Sequence, residues 1–271
     1  MDVSAAASFR TESLSRDYER SRYAVPQHIL RSEVIYGEGF QSPGGLEGFK
    51  ETVVREMSIS RGMRLLDIGS GLGGAAFFLT SSFGVEVVGV DVSDVMISIA
   101  SDRKPESDAH DRVKFILGDI YSRELEEKSF DLIYSRDSLL YEANKERLFR
   151  RCLALLKPGH VICVSDFCRG KTSPEFEKYV DISGYDLPRI DEYSALLSRA
   201  GFTSVVGKDL SEKTRGYLQR DLDKYRAQTE ERDVAVSEED RNHVIERWLR
   251  KIVFMEGGCL VQGLFVARKP A

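Results

Sequence analysis

Four glycines and three aspartates carry the sharpest chemical signal in the chain. In LLDIGSGLGGAAFF, Gly69, Gly71, Gly73 and Gly74 follow a short apolar run and precede a helical one. Glycines at such a junction let the backbone turn tightly and let a ligand approach the main chain. Gly69, Gly71 and Gly74 satisfy the GxGxxG spacing of dinucleotide loops. Asp67 lies just before them, where a carboxylate repels a pyrophosphate and suits an ammonium group. Asp91 closes the apolar run VEVVGVD, a place from which a carboxylate accepts ribose hydroxyls. Asp119 closes RVKFILGD, where it can accept from an adenine amino group. S-adenosylmethionine has an ammonium, a ribose and an adenine but no phosphate, and meets these positions better than NAD. An NAD-dependent oxidoreductase stays open as the rival. Each aspartate is also of a type that caps helices and closes loops.

A second constellation lies in FDLIYSRDSLLY, residues 130–141. It begins as a buried strand, breaks into Ser135, Arg136 and Asp137, and ends on Tyr141. Polar groups just past a strand's carboxyl end often face a ligand. Asp137 can hold an ammonium by a charge-assisted hydrogen bond, or cap the next segment. Arg136 reads as a structural ion-pair partner. The Tyr141 hydroxyl can orient a donor, or its ring can simply pack. His28 is a lone histidine on a helix, with a structural and a site-facing reading.

The scaffold that must position these groups is an α/β one. Short apolar runs at 63–69, 85–91, 112–119, 130–136 and 160–167 alternate with helical stretches. That alternation predicts parallel βαβ units in a doubly wound sheet. Ser93 is the expected N-cap of SDVMISIASDR, and Pro158-Gly159 is expected to close the helix NKERLFRRCLALLKPG. A helix, a turn at Gly201 and a sixth strand follow, and CLVQGLFVARK supplies the seventh. Residues 8–60 read as helical, broken at Pro26 and at GEGFQSPGG. Residues 211–256 read as one or two charged helices. Their apolar stripe of Leu218, Leu222, Tyr225, Val244, Trp248 and Ile252 is core, lid or both. The expected division is a cap at 1–60, a cofactor-binding core at 61–210, a helical lid at 211–257 and a final core strand at 258–271.

The 271 residues are 42% hydrophobic and 31% charged, enough for one domain with a cap. A net charge of −5 argues against nucleic acid as a partner. Four cysteines without a CxxC pair suggest neither zinc nor disulfides, and fit a reducing cytoplasm. No stretch approaches the ~20 apolar residues of a membrane span.

LLDIGSGLGG, VVGVDVS, FILGDI, FDLIYSRDSLL and LKPGH resemble the successive motifs of class I S-adenosylmethionine-dependent methyltransferases. The resemblance implies a seven-stranded Rossmann-like sheet with its last strand antiparallel. SRYAVPQHILRSEVIYGEGFQSPGGLE, FDLIYSRDSLLY, SDF and DEYSALLSRAGF are further similar to the phosphoethanolamine N-methyltransferases of protozoa, nematodes and plants. That similarity implies stepwise methylation of phosphoethanolamine to phosphocholine. It implies cofactor contacts from Gln41, Ser42, Gly69, Asp91, Val92, Asp119, Ile120 and Ser135, to which the residue reading adds Asp67 and Gly71. It places Tyr23 as a tyrosine that closes the site, Asp137 near the substrate amine and Tyr185 at the substrate; His28 is the further substrate candidate.

The chain departs from that pattern. Tyr141 holds the place of a histidine that pairs with the closing tyrosine. Histidine takes a proton near neutral pH; tyrosine, with a reference pKa near 10, does not. Transfer would then rest on proximity and alignment, with water taking the proton. At the phosphate, Phe167 stands for a tyrosine, Ser183 for an arginine, and VFMEGGC covers the place of a lysine. Arg169, Lys171, Arg189 and Lys208 are the candidate replacements. The expected function is methylation of a small amine, with phosphoethanolamine or its mono- and dimethyl forms first. The alternatives are an unphosphorylated acceptor, or cofactor binding without phosphobase turnover. The expected partner is the small amine, the expected state a monomer or weak dimer, and direct methyl transfer needs no metal.

Overall fold

The computed structural model describes residues 26–103, 110–231 and 238–271. Its strands are β1 (Arg64–Ile68), β2 (Glu86–Asp91), β3 (Val113–Leu117), β4 (Phe130–Arg136), β5 (Leu156–Arg169), β6 (Thr203–Asp209) and β7 (Leu260–Arg268). They form one seven-stranded sheet in the order β3-β2-β1-β4-β5-β7-β6. The first five pair in parallel, and β7 runs antiparallel to both β5 and β6, as the resemblance implied. The helices are α1 (Pro26–Tyr36), α2 (Gly45–Thr52), α3 (Gly74–Phe83), α4 (Asp94–Asp102), α5 (Lys145–Leu155), α6 (Pro174–Ser183), α7 (Ile190–Arg199), α8 (Ser211–Glu231) and α9 (Glu238–Glu256).

The central strands are apolar toward both layers. Leu65, Leu66, Ile68, Val87, Val88 and Val90 are all buried, the pattern of parallel strands covered on both faces. From β1 the chain proceeds to β2 on one side, and β4 pairs on the other. Ligands in such sheets bind beyond the carboxyl ends of the strands at this reversal. Helix starts are fixed locally. Ser93 Oγ accepts from the Met96 N–H at 3.3 Å, as expected, and Asn144 Oδ1 from the Arg147 N–H at 3.1 Å. Pro26 is the first described residue of α1, a place in the first turn that proline tolerates.

One boundary differs from expectation. Helix α5 ends at Leu155, and Lys157, Pro158 and Gly159 already belong to β5. Proline disfavours a helical residue before it. Leu156 instead pairs with Phe130, and a register shift lets the strand re-pair from Leu132 onward. The late segment forms two helices. Leu218, Leu222, Tyr225, Trp248 and Ile252 are buried in one cluster with Phe167, Tyr179 and Tyr185. The stripe is therefore core, and it packs beside the carboxyl edge of the sheet. Trp248 also meets Tyr36 of α1, with ring centroids 5.2 Å apart.

Candidate active site

A cleft opens at the carboxyl ends of β1, β2 and β4. It encloses about 940 Å³, its open mouth included. The 37–45 loop supplies Gly39, Phe40, Gln41 and Ser42 to one wall; the glycine turn after β1 supplies Gly69, Ser70, Gly71 and Leu72 to another. The two glycine segments touch. The Gly74 N–H donates to the Gly39 carbonyl at 3.2 Å, and a Cβ on Gly74 would lie 2.6 Å from that oxygen.

Asp91 builds the glycine turn as well as facing the cleft. Its Oδ2 accepts from the Gly71 N–H and its Oδ1 from the Ser93 N–H, both at 2.9 Å. Burial raises its pKa, and the backbone donors partly offset this. Asp67 is 3% exposed, and its Oδ2 has no partner. Burial pushes its carboxyl up to about 7; the Tyr134 hydroxyl offsets part of that without reaching hydrogen-bond geometry. The Ser70 hydroxyl in the same wall is also buried without a partner. Unsatisfied buried acceptors beside a glycine turn are what a cationic, hydroxyl-bearing ligand would complete. One consequence is measurable without a ligand. The native carboxyl keeps its proton up to about pH 7, whereas the unfolded one releases it near 3.8. Stability therefore falls as pH rises between those values. Asp67→Asn should raise the melting temperature by several degrees at about pH 8 and change it little at about pH 4.

Asp137 sits just past β4 in the left-handed region, with φ 52°. Its N–H donates to Ser165 O at 2.8 Å, and its Oδ1 accepts from Gln262 Nε2 at 3.0 Å. Arg136 lies 4.0 Å from its other oxygen, and also clamps the 37–45 loop through the carbonyls of Gly45, at 2.9 Å, and Pro43. Asp221 of α8 holds the same loop by accepting the Gly44 N–H at 2.8 Å. Tyr141 is 41% exposed at the cleft mouth. Its ring meets Tyr185 edge-on, centroids 5.3 Å apart, and Tyr185 meets Tyr179 at 5.8 Å.

A methyltransferase domain family matches residues 59–207. Phosphoethanolamine N-methyltransferase of Plasmodium falciparum is 32% identical, over 89% of this chain and 92% of its own length. The chain belongs to the phosphoethanolamine N-methyltransferase family. Phosphoethanolamine N-methyltransferase 1 of Arabidopsis thaliana is 37% identical over 89% of this chain. The chain spans about half of that relative's length, 49%. The structure of Haemonchus contortus phosphoethanolamine N-methyltransferase 2 with phosphomonomethylethanolamine and S-adenosylhomocysteine superimposes with a TM-score of 0.88. It is 28% identical, over 94% of this chain and 60% of that one. The oxidoreductase reading of the glycine spacing falls with these matches.

Within this methyltransferase fold, the cleft gathers most of the residues singled out in the sequence. Gln41, Ser42, Asp67, Gly69, Gly71, Asp91, Val92, Asp137 and Tyr141 all line it. Asp119, Ile120 and Ser135 do not. Asp119 is exposed, with Oδ1 accepting the Tyr121 N–H at 2.8 Å. Ile120 is buried in the core, and Ser135 Oγ donates to Ile68 O at 2.8 Å. Tyr23 and the side chain of His28 lie outside the described residues. Tyr185 and Phe167 share the aromatic cluster beside the cleft, and Ser183 is buried with its hydroxyl unpartnered.

Among the candidate replacement cations, Lys208 is 2.6 Å from Glu56, and Arg169 pairs with Glu177. The Arg189 N–H donates to Glu192 at 2.8 Å, at the start of α7. Sequence reasoning missed Lys251, whose Nζ stands 4.8 Å over the Phe167 ring. It also missed Gln262. The available signals were a cation among the apolar positions of α9 and an amide inside the apolar strand LVQGLFVAR.

Proposed function

We propose that this protein is an S-adenosylmethionine-dependent N-methyltransferase of a small amine, with phosphoethanolamine or its mono- and dimethyl forms as the acceptor. The observation that carries the reading is one cleft uniting the glycine turn, Asp67 and Asp91 with Asp137. S-adenosylmethionine, when bound, supplies a methyl group on a sulfonium for direct displacement by nitrogen. Gly69 and Gly71 let it approach the main chain, Asp67 offers a carboxylate for its ammonium, and Asp91 offers one for its ribose. Asp137 attracts the acceptor's ammonium and holds the nitrogen in place as the proton leaves for water. The Tyr141 hydroxyl orients that nitrogen, and the Tyr185 ring steadies Tyr141. Alignment of the two reactants is then the main source of rate.

An unphosphorylated acceptor is the second reading, favoured by the uncharged side chains of Phe167 and Ser183. Lys251 discriminates between the two. If it attracts a phosphate across Phe167, Lys251→Met should raise KM for phosphoethanolamine about tenfold, as expected for losing a charge-assisted contact. Steady-state kinetics check this, and an unchanged KM would favour the second reading. Tyr141→Phe keeps the ring against Tyr185 and removes only the hydroxyl, so kcat should fall about three- to tenfold. Rates under acceptor saturation test it.

No helix among the described residues is long and apolar enough to cross a membrane. Cys152, Cys163, Cys168 and Cys259 are all free thiols, which fits action in the cytoplasm. Calorimetric titration tests the cofactor assignment. Saturable binding of S-adenosylmethionine, competed by S-adenosylhomocysteine, is expected, and NAD should not bind. Binding of NAD alone would overturn the assignment.

A further inference from the structure

Gln262 lies within β7, 2% exposed, opposite Phe167 of β5. Its backbone is held from the α8 side. The Gln262 N–H donates to Ser211 Oγ at 3.0 Å, and its carbonyl accepts from the Leu210 N–H at 2.8 Å. Its side chain reaches back toward the cleft. Nε2 donates to Asp137 Oδ1 and to Ser165 Oγ, each at 3.0 Å, while Oε1 is buried without a partner. A buried amide that satisfies both N–H groups and leaves its oxygen unpaired is oriented by its donors. Turning it over would set Oε1 against the Asp137 carboxylate.

Asp137 needs such a tie. Its backbone sits in the left-handed region, a conformation costly for most side chains and milder for aspartate, which its partners help to hold. Ser165 does so twice, directly through its carbonyl to the Asp137 N–H and indirectly through Gln262. The arrangement joins β4, β5 and β7 behind Asp137, the one of these three residues that lines the cleft.

We propose that Gln262 is a positioning residue for the acceptor amine, fixing the carboxylate of Asp137 from β7, two strands away from β4 in the sheet. The proposal rests on the reading of Asp137 as the group that holds the amine. Gln262→Met removes the donors with little change in volume. It should lower kcat/KM for the acceptor about tenfold or more, with S-adenosylmethionine affinity within about threefold of wild type. Gln262→Glu keeps the shape but sets a second carboxylate against Asp137. Asp137 from the end of β4 and Ser165 of β5 face its side chain and Ser211 of α8 its backbone, with Arg136 beside Asp137. The deficit of this variant relative to wild type should shrink as pH falls from about 8 to about 6, because the introduced carboxyl donates again once protonated.

Both variants are assayed for acceptor kinetics across pH and crystallised without acceptor. Should Gln262→Met not yield folded protein, the nearly isosteric glutamate variant carries the test alone. A displaced Asp137 carboxylate together with the acceptor-specific fall in kcat/KM supports the proposal. Asp137 unmoved, a deficit independent of pH in the glutamate variant, or equal losses of cofactor and acceptor binding would overturn it. A displaced carboxylate in a protein whose wild type methylates no amine would sink the functional reading and leave the positioning role standing.

Discussion

Replacing Asp137 by alanine should lower kcat/KM for the amine acceptor while S-adenosylmethionine still binds. Truncating one partner of a buried, hydrogen-bonded charge pair costs about 2–5 kcal/mol, which corresponds to roughly thirty- to several-thousandfold. The Asp137 carboxylate does not spend itself on capping the short turn Leu139–Tyr141. Its Oδ1 faces Gln262, and the turn lacks a side-chain cap from its N-cap residue, Ser138. Asp137→Asn keeps the shape and one acceptor oxygen, so it should retain more activity than the alanine variant. Initial-rate kinetics paired with cofactor titration measure both. Loss of cofactor binding in step with activity would instead mean that the residue shapes the whole cleft.

The second large effect comes from a residue with no functional atoms. Gly74→Ala places a Cβ 2.6 Å from the Gly39 carbonyl oxygen and 2.9 Å from its Cα. Both are backbone atoms, so no side chain can swing aside. Gly74 has no positive φ, and alanine is the better helix former, so local propensity alone would favour the change. The contact must therefore dominate. Overpacking of this kind costs about 1–3 kcal/mol. It also separates the 37–45 loop from the glycine turn, the two walls between which the cofactor would lie. Thermal melting should drop, and S-adenosylmethionine affinity should fall about thirtyfold or more if the walls part by a fraction of an ångström. A variant with wild-type melting and affinity would show that the walls are free to move.

The parts of this site legible in the sequence are those written locally. The βαβ alternation, the Ser93 cap and the run from Asp67 to Gly74 depend on neighbours in the chain. Asp91 is legible from its place at the end of β2, although its bond to the Gly71 N–H is made across the strand pairing. The α5 boundary is not legible in the sequence, because Pro158-Gly159 is also a stop signal for a helix. Only the pairing of Leu156 with Phe130 shows that the strand has already begun. What was missed depends on contacts between distant segments. Gln262 and Asp137 are 125 residues apart, and Gly39 meets Gly74 only once two loops are folded together. Lys251 reads as one more charge on a charged helix until its ammonium is seen over Phe167. Asp119, Ile120 and Ser135, at the cofactor by the resemblance, turn their side chains to the Tyr121 N–H, the core and the Ile68 carbonyl.

The most direct measurement is methyl transfer from labelled S-adenosylmethionine to a panel of amines. The panel holds phosphoethanolamine, its mono- and dimethyl forms, ethanolamine and glycine-type amines. The account predicts label on the phosphobases, abolished or strongly reduced in Asp137→Ala. Tight cofactor binding with label on none of these amines would contradict it.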